Sequence, residues 1–280
     1  MRVSDYVNEQ FKDKNIEETR AISFRCNVND MKIHAYLYLK PKADRLFVLL
    51  NGAVPDEKRG QPLYQRYTWH PLFNGHVLYI TDPTLLKYTG LNLAWYLGDK
   101  YTPVMLHIAE LVYAVAENLK LNTHQIITYG SSGGGFASLQ LASEMRENVL
   151  SVCINPQTNI LAYSAKSKND FLTQCFSCLV NEQNLISQNY RFNAILNVQK
   201  NNTKVLFIQN EFDVFHVKAH FEPFVKTLNV QYDLSDKIDE NNQSRIQVYW
   251  YKDEKAGHGP ETKEMLPHIM DYIEHMLKIQ

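Results

Sequence analysis

The amino-acid sequence predicts an α/β fold, a mainly parallel sheet flanked by helices, and three observations carry that prediction. Short apolar runs recur along the 280 residues, stretches with helical spacing separate them, and Gly, Pro and Asp mark the joins. Strands divided by helical crossovers form βαβ units, which pair in parallel and carry helices on both faces of the sheet.

Residues 31–39 (MKIHAYLYL) alternate apolar and polar, as an edge or half-buried strand does. Residues 46–50 (LFVLL) are continuously apolar, as a strand covered on both faces requires, and 76–80 (HVLYI) form a third strand that ends at the turn signal Asp82-Pro83. Pro103, just after Thr102, suits a first helical turn and opens a helix whose apolar spacing runs over 104–119. The next strand, 125–129 (QIITY), runs into a glycine cluster and then into FASLQLASEM, a run of good helix formers. Residues 149–154, 205–209 and 246–251 are the remaining buried strands, and 262–277 closes the chain as a helix. Residues 155–202 break the pattern with Asn-, Gln- and Ser-rich text. A structureless loop of that length does not suit a compact domain, so the segment reads either as a cap inserted over the strand ends or as a pair of crossover helices.

The length suits one domain, residues 1–280, carrying that insertion. With 29 Lys and Arg against 30 Asp and Glu, the net charge is -1 and no run of one sign stands out, which excludes the electrostatic footprint of a nucleic-acid binder. A hydrophobic fraction of 45% excludes a disordered chain. Neither a signal-like apolar stretch near the N-terminus nor eighteen uninterrupted apolar residues occurs, so the expectation is a cytoplasmic protein without a transmembrane segment. Four cysteines in a chain with so large a core indicate a reducing compartment rather than a disulfide scaffold. Cys175 and Cys178 form a C-x-x-C with no second Cys or His pair at metal spacing, and no metal is expected.

The strongest chemical signal is Gly130-Ser131-Ser132-Gly133-Gly134, a G-x-S-x-G that follows a strand and opens a helix. A serine at such a sharp turn sits in strained backbone, and only tiny residues fit two positions away. The turn lifts Ser132 Oγ above the sheet and leaves the Gly133 N–H at a helix N-terminus, aimed at a developing oxyanion. A serine hydroxyl needs a base, and the base needs an acid to orient it. Behind the strand 205–209 lies Asn210-Glu211-Phe212-Asp213, which makes Asp213 the acid, with Glu211 as its rival. Behind 246–251 a polar loop reaches Gly257-His258-Gly259, whose glycines let His258 approach the serine as base. The second oxyanion donor should come from Asn51-Gly52-Ala53, with Ala53 N–H first and Gly52 next. The aromatic stretch 64–69, including Trp69, and the pair Trp95-Tyr96 are candidates to stack on a sugar ring, and Arg66 reads as a solvated surface residue, with pairing to an anionic substituent of a substrate as its alternative.

The set GSSGGGFASLQLA, Asn155-Pro156-Gln157-Thr158, Phe212-Asp213 with His216 three residues on, and Gly257-His258 resembles the α/β-hydrolase superfamily of serine enzymes over nearly the whole chain from about Met31. More narrowly it is similar to bacterial capsular polysaccharide O-acetyltransferases of that fold. The resemblance implies that Ser132, Asp213 and His258 are nucleophile, orienter and base, and that Asn155 and Gln157 border the cleft. His216 is a further candidate, either to support the catalytic residues from behind or to contact substrate. It also implies acetyl transfer from acetyl-CoA to a sugar hydroxyl, with no other cofactor required, although no basic cluster suited to the coenzyme A phosphates stands out in the chain. Ester hydrolysis is the alternative, and a non-catalytic interaction module on the same fold is a third reading that an intact serine, aspartate and histidine set speaks against.

Overall fold

The computed structural model describes residues 2–145, 148–177, 189–239 and 241–279. Eight strands form one sheet: β1 (Ala21–Val28), β2 (Met31–Tyr38), β3 (Leu46–Leu50), β4 (His76–Ile80), β5 (Ile126–Ser131), β6 (Leu150–Ile154), β7 (Lys204–Asn210) and β8 (Ile246–Tyr251), in the order β1-β2-β4-β3-β5-β6-β7-β8. β2 runs antiparallel to β1 and β4, and the six strands from β4 to β8 are parallel.

The continuous apolar runs have the burial they require. In β3, Leu46, Val48 and Leu50 face a layer containing the helices α1 (Val3–Phe11), α3 (Met105–Asn118) and α4 (Gly133–Met145), α2 being the short Pro83–Lys87. Phe47 and Leu49 face the opposite layer, where the last helix, Leu266–Lys278, supplies Leu266, Ile269, Ile273 and Met276. Successive side chains of a strand point to opposite faces, so a strand covered on both must be apolar throughout.

Some boundaries differ from those the sequence suggests. Pro103 precedes the helix that it was expected to open, because Val104 is the capping residue and Met105 the first helical one. The last helix starts at Leu266 with Pro267 in its first turn, so 262–265 belong to the preceding turn. Sequence reading passed over α1 and β1. Both had a signal: Val3, Val7 and Phe11 recur every fourth residue, and Ile22, Phe24 and Val28 alternate with polar neighbours.

Within 155–202 the described residues include the helices Ala165–Phe171 and Ala194–Asn201. Phe171, Leu172, Phe192 and Val198 bury their side chains in one core with Trp95, Phe136 and Phe207. Residues 178–188, and with them Cys178, lie outside the described residues.

The contact between β5 and α4 governs what the sheet can present. A Cβ on Gly130 would lie 2.3 Å from the Gly134 carbonyl oxygen, and one on Gly134 would lie 2.3 Å from that of Leu50, both backbone atoms that cannot swing aside. Gly257 differs, with a positive φ of 49° and nothing within 4 Å of a built Cβ. Gly134→Ala should therefore abolish folding or lower stability by well over 2 kcal/mol, whereas Gly257→Ala should cost only the left-handed penalty of about 1–2 kcal/mol; urea unfolding of both variants checks the contrast.

Candidate active site

Every polar group gathered at the site stands behind the C-terminal end of a parallel strand: Ala53 after β3, Ser132 after β5, Gln157 after β6, Asp213 after β7 and His258 after β8. Loops at that rim converge because parallel strands all end on the same edge.

Ser132 has φ 54°, the left-handed region, between the last residue of β5 and the first of α4. Its Oγ lies 2.9 Å from His258 Nε2, and His258 Nδ1 lies 2.5 Å from Asp213 Oδ2. The sequence-predicted residues Ser132, His258 and Asp213 thus form one hydrogen-bonded chain. Glu211 is excluded from it, since its carboxylate accepts from Trp250 Nε1 and pairs with Lys252 at the sheet edge. Burial works against ionisation of Asp213, but hydrogen bonds from His216 and His258 outweigh it and hold the carboxyl well below the usual range.

Gly133 is the first residue of α4, so its N–H has no intrahelical acceptor. The loop after β3 comes up against it: a Cβ on Gly52 would lie 3.0 Å from the Ser131 carbonyl oxygen and 3.7 Å from Gly133 N. The Gly52 N–H is given to Gln65 Oε1 at 3.0 Å, which removes Gly52 as an oxyanion donor, while among the described residues no acceptor takes the Ala53 N–H. Asn51 anchors the loop, its Oδ1 accepting from the Asp82 N–H and its N–H meeting Tyr96 Oη at 2.7 Å.

A cavity of about 460 Å³ opens beside Ser132 and is lined by Gly52, Ala53, Arg66, Trp69, His258 and Glu261 among others. Trp69 borders it as a half-buried ring. Trp95 and Tyr96, expected at a sugar-binding face, are fully buried and serve the hydrogen-bond network instead, Trp95 Nε1 donating to Gln157 Oε1 at 3.1 Å. Asn155 and Gln157 are also buried. Asn155 does not border the cavity; its Nδ2 donates to the Gly259 carbonyl and to Tyr251 Oη, and its Oδ1 accepts from the Asn210 N–H, which ties the His258 loop to the sheet. Gln157 Nε2 lies 2.9 Å from Ser132 Oγ and 2.8 Å from His216 Nε2. His216 is buried against Asp213 rather than facing open space. All three are buried and hydrogen-bonded to their neighbours, and none is among the residues that line the cavity.

Sequence reading missed the clamp behind the cavity. Arg66, read as a solvated surface residue, has a side chain only 6% exposed and grips the fully buried Glu261 side chain through two 2.6 Å contacts, with Ser131 Oγ as a third partner at 2.9 Å. Tyr129 Oη donates to the same carboxylate. Burial opposes the Arg66 charge, yet Glu261 outweighs it and raises the guanidinium further. The position of Glu261 three residues after His258 was the available signal, since a carboxylate beside a loop base must find a partner. Asn210 adds a second tie, donating to the Asp253 and Gly257 carbonyls. The ligand atoms of Asp213, His216 and His258 lie within 4.8 Å of one another, close enough to suit a metal, and each already faces a hydrogen-bond partner.

No protein-family model matches the chain, and no curated protein matches its sequence. Solved structures do match in three dimensions. The capsule O-acetyltransferase of Neisseria meningitidis serogroup A aligns over 90% of this chain and 96% of its own, with a TM-score of 0.59 and 12% identity. Acetyl xylan esterase 1 from Thermoanaerobacterium sp. aligns over 98% of this chain and 93% of its own, at 0.56 and 17%. The chain has the α/β-hydrolase fold. A glycosylation associate protein complex from Streptococcus agalactiae also matches, at a TM-score of 0.65 and 15% identity over 91% of this chain; the chain spans about half the length of that protein, 46%. At such identities the hydrolase fold is shared and chemistry must be argued from this chain's own residues. Among the described residues no helix is long and apolar enough to cross a membrane.

The clamp and the buried imidazoles have measurable consequences. Arg66→Met leaves the Glu261 carboxylate buried without a counter-charge and should lower stability by about 3–5 kcal/mol in denaturant unfolding, and Arg66→Met with Glu261→Met should recover most of it. Burial holds His216 below its usual 6.5 and His220 down to about 3, with Asp213 opposing in both cases. The unfolded chain therefore takes up these protons first, so stability is full above about pH 6.5 and falls as pH drops toward 3. His220→Phe should flatten that fall, leaving a constant offset from the Thr158 N–H that His220 Nδ1 accepts, when unfolding midpoints are followed against pH.

Proposed function

We propose that the protein is a serine acyltransferase that moves an acyl group, most simply acetyl, onto a carbohydrate hydroxyl. The observation that carries the reading is Ser132 Oγ at 2.9 Å from His258 Nε2, on a left-handed turn that borders a cavity. His258 Nε2 takes the Ser132 proton as Oγ bonds to the carbonyl carbon of an ester or thioester, and the N–H groups of Gly133 and Ala53 face the resulting oxyanion. When the tetrahedral centre collapses, the bond to the leaving group breaks and that group takes the proton from His258. An acceptor hydroxyl then gives its proton to His258 and attacks the acyl-serine, and Ser132 leaves with the proton restored.

Acetyl-CoA is the donor taken for the transfer reading, and Trp69, with Lys263 Nζ 6.0 Å from its ring, gives the cavity an aromatic wall. The alignment over nearly the full length of the capsule O-acetyltransferase supports transfer to a surface polysaccharide. Hydrolysis is the second reading, favoured by the His258 side chain being 35% exposed, which lets water reach the base as readily as a sugar hydroxyl.

A fluorophosphonate probe should label the native chain at Ser132 and leave Ser132→Ala unlabelled, as read by mass spectrometry of the adduct; an unlabelled native protein would return the chain to the class of interaction modules. Supplied with acetyl-CoA, the protein should release coenzyme A at least ten times faster when capsule oligosaccharides are present, and release at full rate without them would make it an esterase.

A further inference from the structure

Asp213 serves two imidazoles. Its Oδ2 meets His258 Nδ1 at 2.5 Å, and its Oδ1 meets His216 Nδ1 at 2.9 Å. The two rings lie face to face, centroids 3.7 Å apart and planes 5° from parallel. The far edge of each leads to the same atom. His258 Nε2 reaches Ser132 Oγ directly, and His216 Nε2 reaches it through the Gln157 amide, which lies 2.8 Å from His216 and 2.9 Å from Ser132.

Trp95 decides which way that amide points. An indole N–H can only donate, so the Gln157 atom it meets at 3.1 Å is the oxygen, and the amide nitrogen faces Ser132 and His216 with one N–H for each. His216 Nε2 must then accept, which places its proton on Nδ1, pointing at Asp213. Ser132 Oγ accepts from Gln157 and has one proton of its own, which goes to His258. Every donor and acceptor is thereby assigned without conflict.

We propose that Gln157 and His216 close a hydrogen-bonded ring, Asp213–His258–Ser132–Gln157–His216, in which Gln157 is a catalytic donor to Ser132 Oγ and His216 is the positioning residue that holds Gln157. The proposal deepens the acyl-transfer reading and rests on it for its kinetic consequence. Negative charge grows on Oγ as its proton leaves and again when the acyl bond breaks, and a hydrogen bond to that charge is stronger than one to the resting hydroxyl. The ring also keeps His216 neutral beside an imidazole that becomes a cation during the reaction. The titratable groups facing His216 are Asp213 on its own loop, His220 one turn on, Tyr163 from the loop after β6 and His258 from the loop after β8; Asp213 is the one carboxylate among them. A proton on His216 Nε2 would turn the acceptor into a donor facing the Gln157 N–H and open the ring.

Gln157 and His216 do not border the cavity beside Ser132, so their loss should fall on kcat and leave KM alone. With p-nitrophenyl acetate, Gln157→Leu should lower kcat about 10- to 100-fold with KM within twofold of the native value. His216→Asn, whose side-chain N–H can still donate to Asp213 as His216 Nδ1 does, should lower kcat by a smaller factor. The double variant should be no slower than Gln157→Leu alone, because the two residues act as one unit. A kcat for Gln157→Leu within twofold of native, or losses that multiply in the double variant, would overturn the proposal. Nitrogen-15 NMR of the histidine rings at pH 7 reads the ring without any turnover: His216 should be the neutral Nδ1–H tautomer. A proton on its Nε2 refutes the ring even in an active enzyme, while the expected tautomer in a protein that no probe labels would sink acyl transfer and leave the hydrogen-bond assignment standing.

Discussion

The backbone at Ser132, held at φ 54° between a strand and a helix in direct contact, is the constraint on which the rest depends. β5 and α4 meet so closely that Gly130 has no space for a Cβ, Gly134 has none against the end of β3, and the left-handed turn is the connection that packing leaves. Three things result from one turn. Oγ stands clear of the sheet, the Gly133 N–H stands at a helix N-terminus beside it, and the loops behind the neighbouring strands have a fixed point to close on.

Those loops are held by polar side chains that have given up solvent. Asp213 stays ionised in a buried place because two imidazoles donate to it, and that shared carboxylate sets the directions of both rings. The loop bearing His258 has little apolar anchorage of its own; Asn155, Asn210 and the Arg66–Glu261 pair hold it from three sides. A buried ion pair adds little net stability over an apolar substitute, but its geometry is specific, and here it joins the cavity wall to the segment that follows His258.

The proposed chemistry up to an acyl-serine draws on groups that this rim contains. In the proposed reaction the outcome depends on whether water or a hydroxyl reaches His258 first, which is a property of the cavity rather than of the nucleophile. Solved structures of the same fold include a capsule O-acetyltransferase and an acetyl xylan esterase.

How much could be read in advance is set by the range of the interactions involved. Five-residue apolar runs such as LFVLL and HVLYI state their own burial, and the chain order of Ser132, Asp213 and His258, each just past a strand, was visible because it depends on local turns along one sheet edge. The first strand and helix had periodic signals as well and were passed over. By itself, then, the sequence determined a mainly parallel sheet, the turn that carries Ser132 and the two side chains that meet it, since period, glycine spacing and turn position are local properties. Only the tertiary structure decided that Gln157 and His216 turn inward to Ser132, that Arg66 pairs with a residue 195 positions away and that Asn155 braces a loop instead of lining a cleft. A polar side chain finds its partner across loops whose paths are set by packing, and nothing in its immediate neighbours encodes which loop will arrive opposite.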